Sequence, residues 1–271
     1  MKIFYPLILF ILFFLFLYSC KKLVQFHPNE VRLEESERNL NAKNIIRLEA
    51  EPKKSTFRFA VIGDSQRFYD ELADLVKKVN SYNDISFVLL NGDITDFALN
   101  REYKWINREL KKLNMPFIAV IGNHDMLANG RLIYQQMFGP ENFSFEYNDY
   151  SFVCLNTNSR EVGFNGSIPD TSWLRQEVDT KDAQAQKGIF VFSHVPPTNS
   201  DFDSRLSGPY SQILTNSNKV QYSIHGHQHN YSSGQPYGPP VNYLVAGSLN
   251  KRSFLLFSVN LDTTHVEQVT F

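Results

Sequence analysis

PFIAVIGNHD, residues 116–125, is a short apolar run that stops at a glycine and then supplies an amide, an imidazole and a carboxylate in succession. A run of this length bounded by turn residues reads as a buried strand. Two earlier runs share its form. Phe57 to Ile62 ends in Gly63-Asp64, and Ile85 to Leu90 ends in Asn91-Gly92-Asp93. Between the first two runs Leu72, Leu75, Val76 and Val79 recur at helical spacing, and before the third Ile106, Leu110 and Leu113 do so. Strand, helix, strand, helix, strand predicts an α/β fold with parallel strands.

The second half of the chain is richer in strands. Phe143 to Tyr147 and Tyr150 to Asn156 flank Asn148-Asp149, which predicts a hairpin. Trp173 to Val178 reads as a short helix. Gly188 to Ser193 is apolar and ends at His194, and Val220 to Ile224 leads into His225-Gly226-His227-Gln228-His229. Val241–Ala246, Phe254–Leu261 and Val266–Phe271 are further strand candidates. So many strands predict a second sheet packed on the first. Cys154, inside Phe152-Val153-Cys154-Leu155, reads as a small buried core residue.

The 271 residues suit one large domain, and a net charge of −1 gives no electrostatic case for a nucleic-acid partner. The N-terminus has another character. Lys2 precedes an apolar run from Ile3 to Leu17, short for a spanning helix and of the right order for a signal-peptide core. Leu17-Tyr18-Ser19-Cys20 resembles a bacterial lipoprotein signal, with Tyr18 bulkier than that pattern usually carries. Residues 1–20 are thus expected to be a signal peptide. Lipid on Cys20 would tether the protein outside the cytoplasm, in the periplasm or at the cell surface; an uncleaved signal anchor is the other reading. With Cys20 modified, Cys154 stands alone and no disulfide framework is expected. Residues 21–55 mix charges of both signs and are expected to be a linker with one short ordered piece at Ile45 to Leu48. Residues 56–271 form the expected domain.

Ligands in an open α/β sheet gather at the carboxyl ends of strands. Five apolar runs end there in residues that bind metals or move protons: Asp64, Asp93, Asn123-His124-Asp125, His194 and His225-Gly226-His227-Gln228-His229. One Gly-Asp after a strand is common turn chemistry. Five endings with one theme are hard to assign to turns. There is no cysteine cluster, which excludes a thiolate zinc site. Carboxylate, amide and imidazole together suit divalent Mn, Fe, Zn or Mg. The set is large enough for two ions with a carboxylate between them, about 3.5–4 Å apart, the clamp used in phosphoryl transfer.

These blocks, in this order, resemble the calcineurin-like metallophosphoesterases. The family carries Asp-x-His, Gly-Asp-x-x-Asp, Gly-Asn-His-Asp or -Glu, a lone His and Gly-His-x-His. Here they stand as Asp64-Ser65-Gln66, Gly92-Asp93-Ile94-Thr95-Asp96, Gly122-Asn123-His124-Asp125, His194 and Gly226-His227-Gln228-His229. The resemblance implies two mixed β-sheets packed as a sandwich flanked by helices. It implies that Asp64, Gln66, Asp93 and His229 hold one divalent ion, and that Asp93, Asn123, His194 and His227 hold a second, with Asp93 bridging. His124 would face the substrate, a phosphomonoester or phosphodiester, oriented by Asp96. Asp125 reads as a backbone cap or as a group supporting the ligands from behind, and His225 as a residue outside the ligand set. Gln66 departs from the family's histidine; it can ligate only through a neutral carbonyl oxygen, so the first ion is expected to bind more weakly and to prefer Mn, Fe or Mg. Residues 158–170 and 196–209 are expected as loops over the site, with Arg67, Arg160 and Arg205 as candidate phosphate holders. No second domain is expected after residue 271, which argues against large nucleotidases. Two competing readings are a surface lipoprotein that binds a metal or partner and has lost catalysis, and a metal hydrolase acting on another bond.

Overall fold

In chain order the elements are α1 (Leu40–Glu49), β1 (Phe57–Ile62), α2 (Tyr69–Asn80), β2 (Ile85–Asn91), α3 (Asn100–Leu110), β3 (Phe117–Val120), α4 (Gly130–Met137), β4 (Phe143–Tyr147) and β5 (Tyr150–Cys154). Then come α5 (Thr171–Ala183), β6 (Gly188–Phe192), α6 (Ser204–Asn216), β7 (Val220–His225), β8 (Ser232–Gly234), β9 (Asn242–Val245), β10 (Ser253–Val259) and β11 (Thr264–Thr270). This computed structural model describes residues 30–184, 186–260 and 263–271, with isolated positions 10, 13 and 27. Cys20 and nearly all of the signal segment lie outside the described residues, among which no helix is long and apolar enough to cross a membrane.

Side chains alternate across a strand, so a buried strand feeds two cores. In β1, Phe57, Phe59 and Val61 enter the core between the sheets, while Ala60 and Ile62 enter the one beneath the helices. β2 divides Phe87 and Leu89 from Val88 and Leu90 in the same way, and β5 and β6 set Phe152, Phe190 and Phe192 against Val153, Ile189 and Val191. Coverage on both faces is why these strands are continuously apolar in sequence. One sheet runs β11-β10-β1-β2-β3 and the other β4-β5-β6-β7-β9-β8. β1, β2 and β3 are parallel, as are β5, β6, β7 and β9; β10, β11, β4 and β8 pair antiparallel. Both sheets are mixed, and they form the expected sandwich. Aromatic rings fill the space between them: Phe59 stacks on Phe257 at 4.5 Å and on Phe87 at 5.0 Å, and meets Phe152 of the other sheet edge-on at 5.6 Å.

Two segments differ from expectation. The linker region contains α1, and its order extends well beyond Ile45–Leu48. Leu40 and Leu48 are buried, one in each of the two cores that meet at the first sheet. Asn41 donates to the carbonyl of Ala119 and accepts from its N–H, both at 2.9 Å, so its side-chain amide pairs with edge strand β3 as a neighbouring strand would. The anticipated loop at 196–209 ends at Ser204, where α6 begins. Asp203 accepts from the Arg205 N–H at 3.1 Å and starts the helix, and Pro209 lies inside it. The hairpin turn holds, with Asn148 and Asp149 both in the left-handed region.

Candidate metal centre

Parallel order brings the carboxyl ends of β1, β2 and β3 beside those of β6 and β7, and the five sequence blocks converge there. The backbone bends hard to deliver them. Asp64, Gln66, Asp93, His227 and His229 all have left-handed φ between +32° and +71°. Such geometry is costly for residues with a Cβ and clusters at functional sites. The motif glycines are demanded by space. A Cβ on Gly92, itself at φ +87°, would strike the His194 ring, and one on Gly122 would strike the Asp93 backbone and carboxylate.

His194 Nε2 lies 3.2 Å from Asp93 Oδ1 and 3.1 Å from Asn123 Oδ1, and His227 Nδ1 lies 3.0 Å from the same Asn123 oxygen. The Asp93, His194 and His227 ligand atoms fall within 4.8 Å of one another, as do those of Asp64, Asp93 and His229; Asp93 belongs to both groups. Asp64 receives the His227 N–H at 3.2 Å, with His229 Nε2 at 3.6 Å. Gln66 is buried in the same place and donates from Nε2 to Asp93 Oδ2 at 3.1 Å. All the expected ligand positions are therefore brought together.

Too many acceptors face one another in this cluster for the hydrogens it holds, which suits a cation. His194 Nδ1 lies 2.8 Å from the Asn91 carbonyl, which only accepts, so that nitrogen carries a hydrogen and Nε2 faces inward. Around it stand the oxygens of Asp93 and Asn123 and a nitrogen of His227. Asp64 and Asp93 are fully buried, and no lysine or arginine among the described residues pairs with either. Burial of that kind is prohibitive without compensating positive charge. The titration behaviour says the same. Burial pushes the Asp64 carboxyl up to about 8 against the pull of His194. Burial also disfavours ionised Asp93, but His194 and His124 outweigh it and hold Asp93 at about 2. Burial would lower His194, yet Asp93 and Asp64 raise it to about 9. A proton on His194 sits where a cation would neutralise the same carboxylates, and the residues fit divalent ions.

His124 lies beside this cluster. Its N–H donates to Asp93 Oδ1 at 2.9 Å, and Nδ1 sits 2.7 Å from the backbone carbonyl of Asp96. Asp96 meets the ring through its main chain and not through the expected carboxylate. Its carboxylate is 3.8 Å from Nδ1 and is engaged by Arg67 at 2.8 Å. Arg160 and Arg205 are likewise paired, with Asp201 and Asp203. Asp125 is a cap. It accepts from the N–H groups of Ile94, Thr95 and Gly122 and from the Thr95 hydroxyl, tying the second motif loop to the third. His225 points away: its two ring nitrogens meet the hydroxyls of Ser193 and Ser223, and burial lowers it to about 3, so it is neutral. Sequence reading missed Asn91, whose side chain gives no hint that its carbonyl fixes His194. It also missed the particular place of Asp201, whose Oδ2 lies 3.3 Å from His227 Nε2.

A model of the calcineurin-like phosphoesterase family matches residues 57–231, and the chain belongs to that family. A protein of Arcobacter nitrofigilis named probable glycerophosphodiester phosphodiesterase is 30% identical over 151 residues, which are 47% of this chain and 53% of that one. One of Fibrobacter succinogenes named probable cyclic nucleotide phosphodiesterase is 26% identical over 51% of this chain and 54% of its own length. The chain thus spans about half the length of these two relatives. The fold is shared with a dimetal phosphatase from Danio rerio, with a TM-score of 0.63 and 14% identity over 78% of this chain and 95% of that one. It is also shared with a purple acid phosphatase from yellow lupin, with a TM-score of 0.64 and 13% identity over 80% and 52%.

Proposed function

We propose that this protein is a dinuclear metal-dependent phosphoesterase that favours phosphodiesters. The observation that carries the reading is the convergence of acceptor atoms from Asp93, Asn123, His194 and His227 around buried carboxylates. Asp64, Gln66, Asp93 and His229 hold one ion and Asp93, Asn123, His194 and His227 the other; Mn, Fe or Mg suits the first position best because Gln66 supplies oxygen. When bound, the ions neutralise phosphate oxygens and lower the pKa of a water near them. The chain does the rest. Asp93 keeps the two positions adjacent. The Asp96 carbonyl takes the hydrogen of His124 Nδ1, so the second hydrogen of the imidazolium form, on Nε2, would be the one donated to the leaving oxygen. Preference for diesters is supported by the names of the two relatives, both phosphodiesterases.

The full chain, stripped with chelator and reloaded with Mn2+, is expected to hydrolyse bis-p-nitrophenyl phosphate faster than p-nitrophenyl phosphate. Asp93→Asn should lose at least 100-fold in turnover, about 2.7 kcal/mol in the barrier. A folded protein inactive on both esters with every divalent metal tried would favour the metal- or partner-binding reading, for which Gln66 is the motivating departure.

Placement outside the cytoplasm on a lipid tether at Cys20 is supported by the apolar run and the Ser19-Cys20 junction. The segment ahead of Cys20 is then the signal peptide, and the catalytic domain follows the lipidated residue. Cys20→Ser should move the protein out of the lipid-labelled membrane fraction; unchanged lipid labelling would refute the tether.

A further inference from the structure

A neutral imidazole carries its hydrogen on one nitrogen only, and a metal can bind only the other. For His194 the Asn91 carbonyl settles the matter. Among the described residues His227 has no backbone partner of that kind at its ring. Its Nδ1 faces Asn123 Oδ1, and its Nε2 faces Asp201 Oδ2 at 3.3 Å.

We propose that Asp201 is a positioning residue that sets the tautomer and ring orientation of His227, and so governs affinity for the second ion. The inference rests on the ligand role assigned to His227 above. A carboxylate cannot donate, and a lone pair on Nε2 facing it would be repelled. Asn123 Oδ1, 3.0 Å from Nδ1, is also an acceptor, but it is neutral, and the full charge of Asp201 draws the hydrogen to Nε2. Nδ1 then turns its lone pair toward the space shared with His194 and Asp93. Carboxylates that hold metal-binding histidines in this way also raise the basicity of the ligating nitrogen.

Asp201 is built to hold still. Arg160 Nη1 donates to both of its oxygens at 3.2 and 3.3 Å, and the Arg160 N–H donates to its carbonyl at 3.2 Å. Its own N–H donates to Asn199 Oδ1 at 2.8 Å. The carboxylate is also sheltered, with the Asp201 side chain 21% exposed and that of His227 15%. Three separate segments meet in this contact: the loop after His194, the turn at Ser159–Val162, and the loop after β7. Residues on either side of Asp201 in the same loop, Pro197 and Phe202 among them, line a 740 Å³ cavity with Phe164 and Arg205.

The test uses the full chain as wild type, Asp201→Ala, Asp201→Asn and Arg160→Gln. Mn2+ binding is measured by chelator competition, and the His227 tautomer by long-range 1H–15N spectra of the metal-free protein. The wild type is expected to bind two ions and to show His227 with hydrogen on Nε2. In Asp201→Ala one ion should bind as in the wild type and the other roughly 10–100-fold more weakly, with a mixed tautomer. Asp201→Asn, which keeps an accepting oxygen, should restore part of the loss. Arg160→Gln should shift both readouts the same way by a few-fold. Two ions bound by Asp201→Ala at wild-type affinity, with the tautomer unchanged, would overturn the inference and leave the phosphoesterase reading standing. Equal weakening of both ions together with a lower melting temperature would also overturn it, since that marks a general structural role. A wild type that binds no ion would overturn both.

Discussion

Gln66 sits among carboxylates and imidazoles and offers the cluster a neutral amide, bonded to Asp93 Oδ2. Exchanging it for histidine adds a nitrogen donor where the family pattern has one. Gln66→His should tighten the first ion by about tenfold, ~1.4 kcal/mol, in the same chelator competition; an unchanged constant would show that residue 66 does not ligate. At this scale the sequence was informative about identities and less so about orientations. Asp64, Asp93, Asn123, His194, His227 and His229 were visible because each follows an apolar run, and strand ends are where such folds place ligands. The Asp96 main-chain contact to His124 was not visible, because a carbonyl leaves no trace in the residue type. Nor was the Asp201 contact to His227, since Asp201 lies outside every motif and meets β7 only through the fold. His225 illustrates the converse. It sits in a run of histidines yet reads as outside the ligand set, and the left-handed backbone at His227 and His229 does break the alternation that would have aligned all three.

Among the elements, α1 does most to correct the sequence reading. Its charges resemble those of a linker, but its pattern of Leu40, Asn41, Asn44 and Leu48 is the buried face of a helix in which asparagines replace apolar residues. Asn41 belongs there because β3 ends its sheet and Ala119 presents there an N–H and a carbonyl, the latter shared with the Tyr134 hydroxyl. Asn41→Ala should destabilise the protein by about 1–3 kcal/mol, read as a shift in urea midpoint, whereas substituting exposed Ile46 should leave the midpoint where it was. A midpoint unmoved by Asn41→Ala would mean that α1 is not seated on the sheet in solution. The strands themselves were legible because continuous apolar runs and their glycine endings are strong signals. The start of α6 was not, since Ser-Asp-Phe-Asp-Ser-Arg followed by an interior proline reads as loop until the Asp203 cap is seen.

Considered whole, the molecule places its ligands on two sheets and its uncompensated carboxylates at their junction. That arrangement has a pH signature. In the folded, metal-free protein Asp64 titrates near 8 and His194 near 9, both above their ordinary values of 3.8 and 6.5. Each binds more protons folded than unfolded across the interval between its two values, so its contribution to stability declines as pH rises through that interval. Between pH 6.5 and 8 the two effects act together, and His194 alone carries the decline on to about 9. The melting temperature of chelator-treated protein should therefore fall over this range, and saturating Mn2+ should flatten the fall by supplying the positive charge instead. A melting temperature constant with pH, with and without metal, would contradict the burial of these carboxylates. The sandwich as a class was legible from the alternation of elements and then from strand density; the order of strands within each sheet was not, because nothing local marks β10 as the partner of β1. That pairing, Phe57 against Val259, bears on how the protein is made. A chain emerging N-terminus first exposes one side of its earliest apolar strand until its last strands arrive. At about 5–20 residues per second, that interval lasts roughly 10–40 s. Throughout it one edge of that strand lacks its partner, so the nascent chain stays open to self-association until β10 is made.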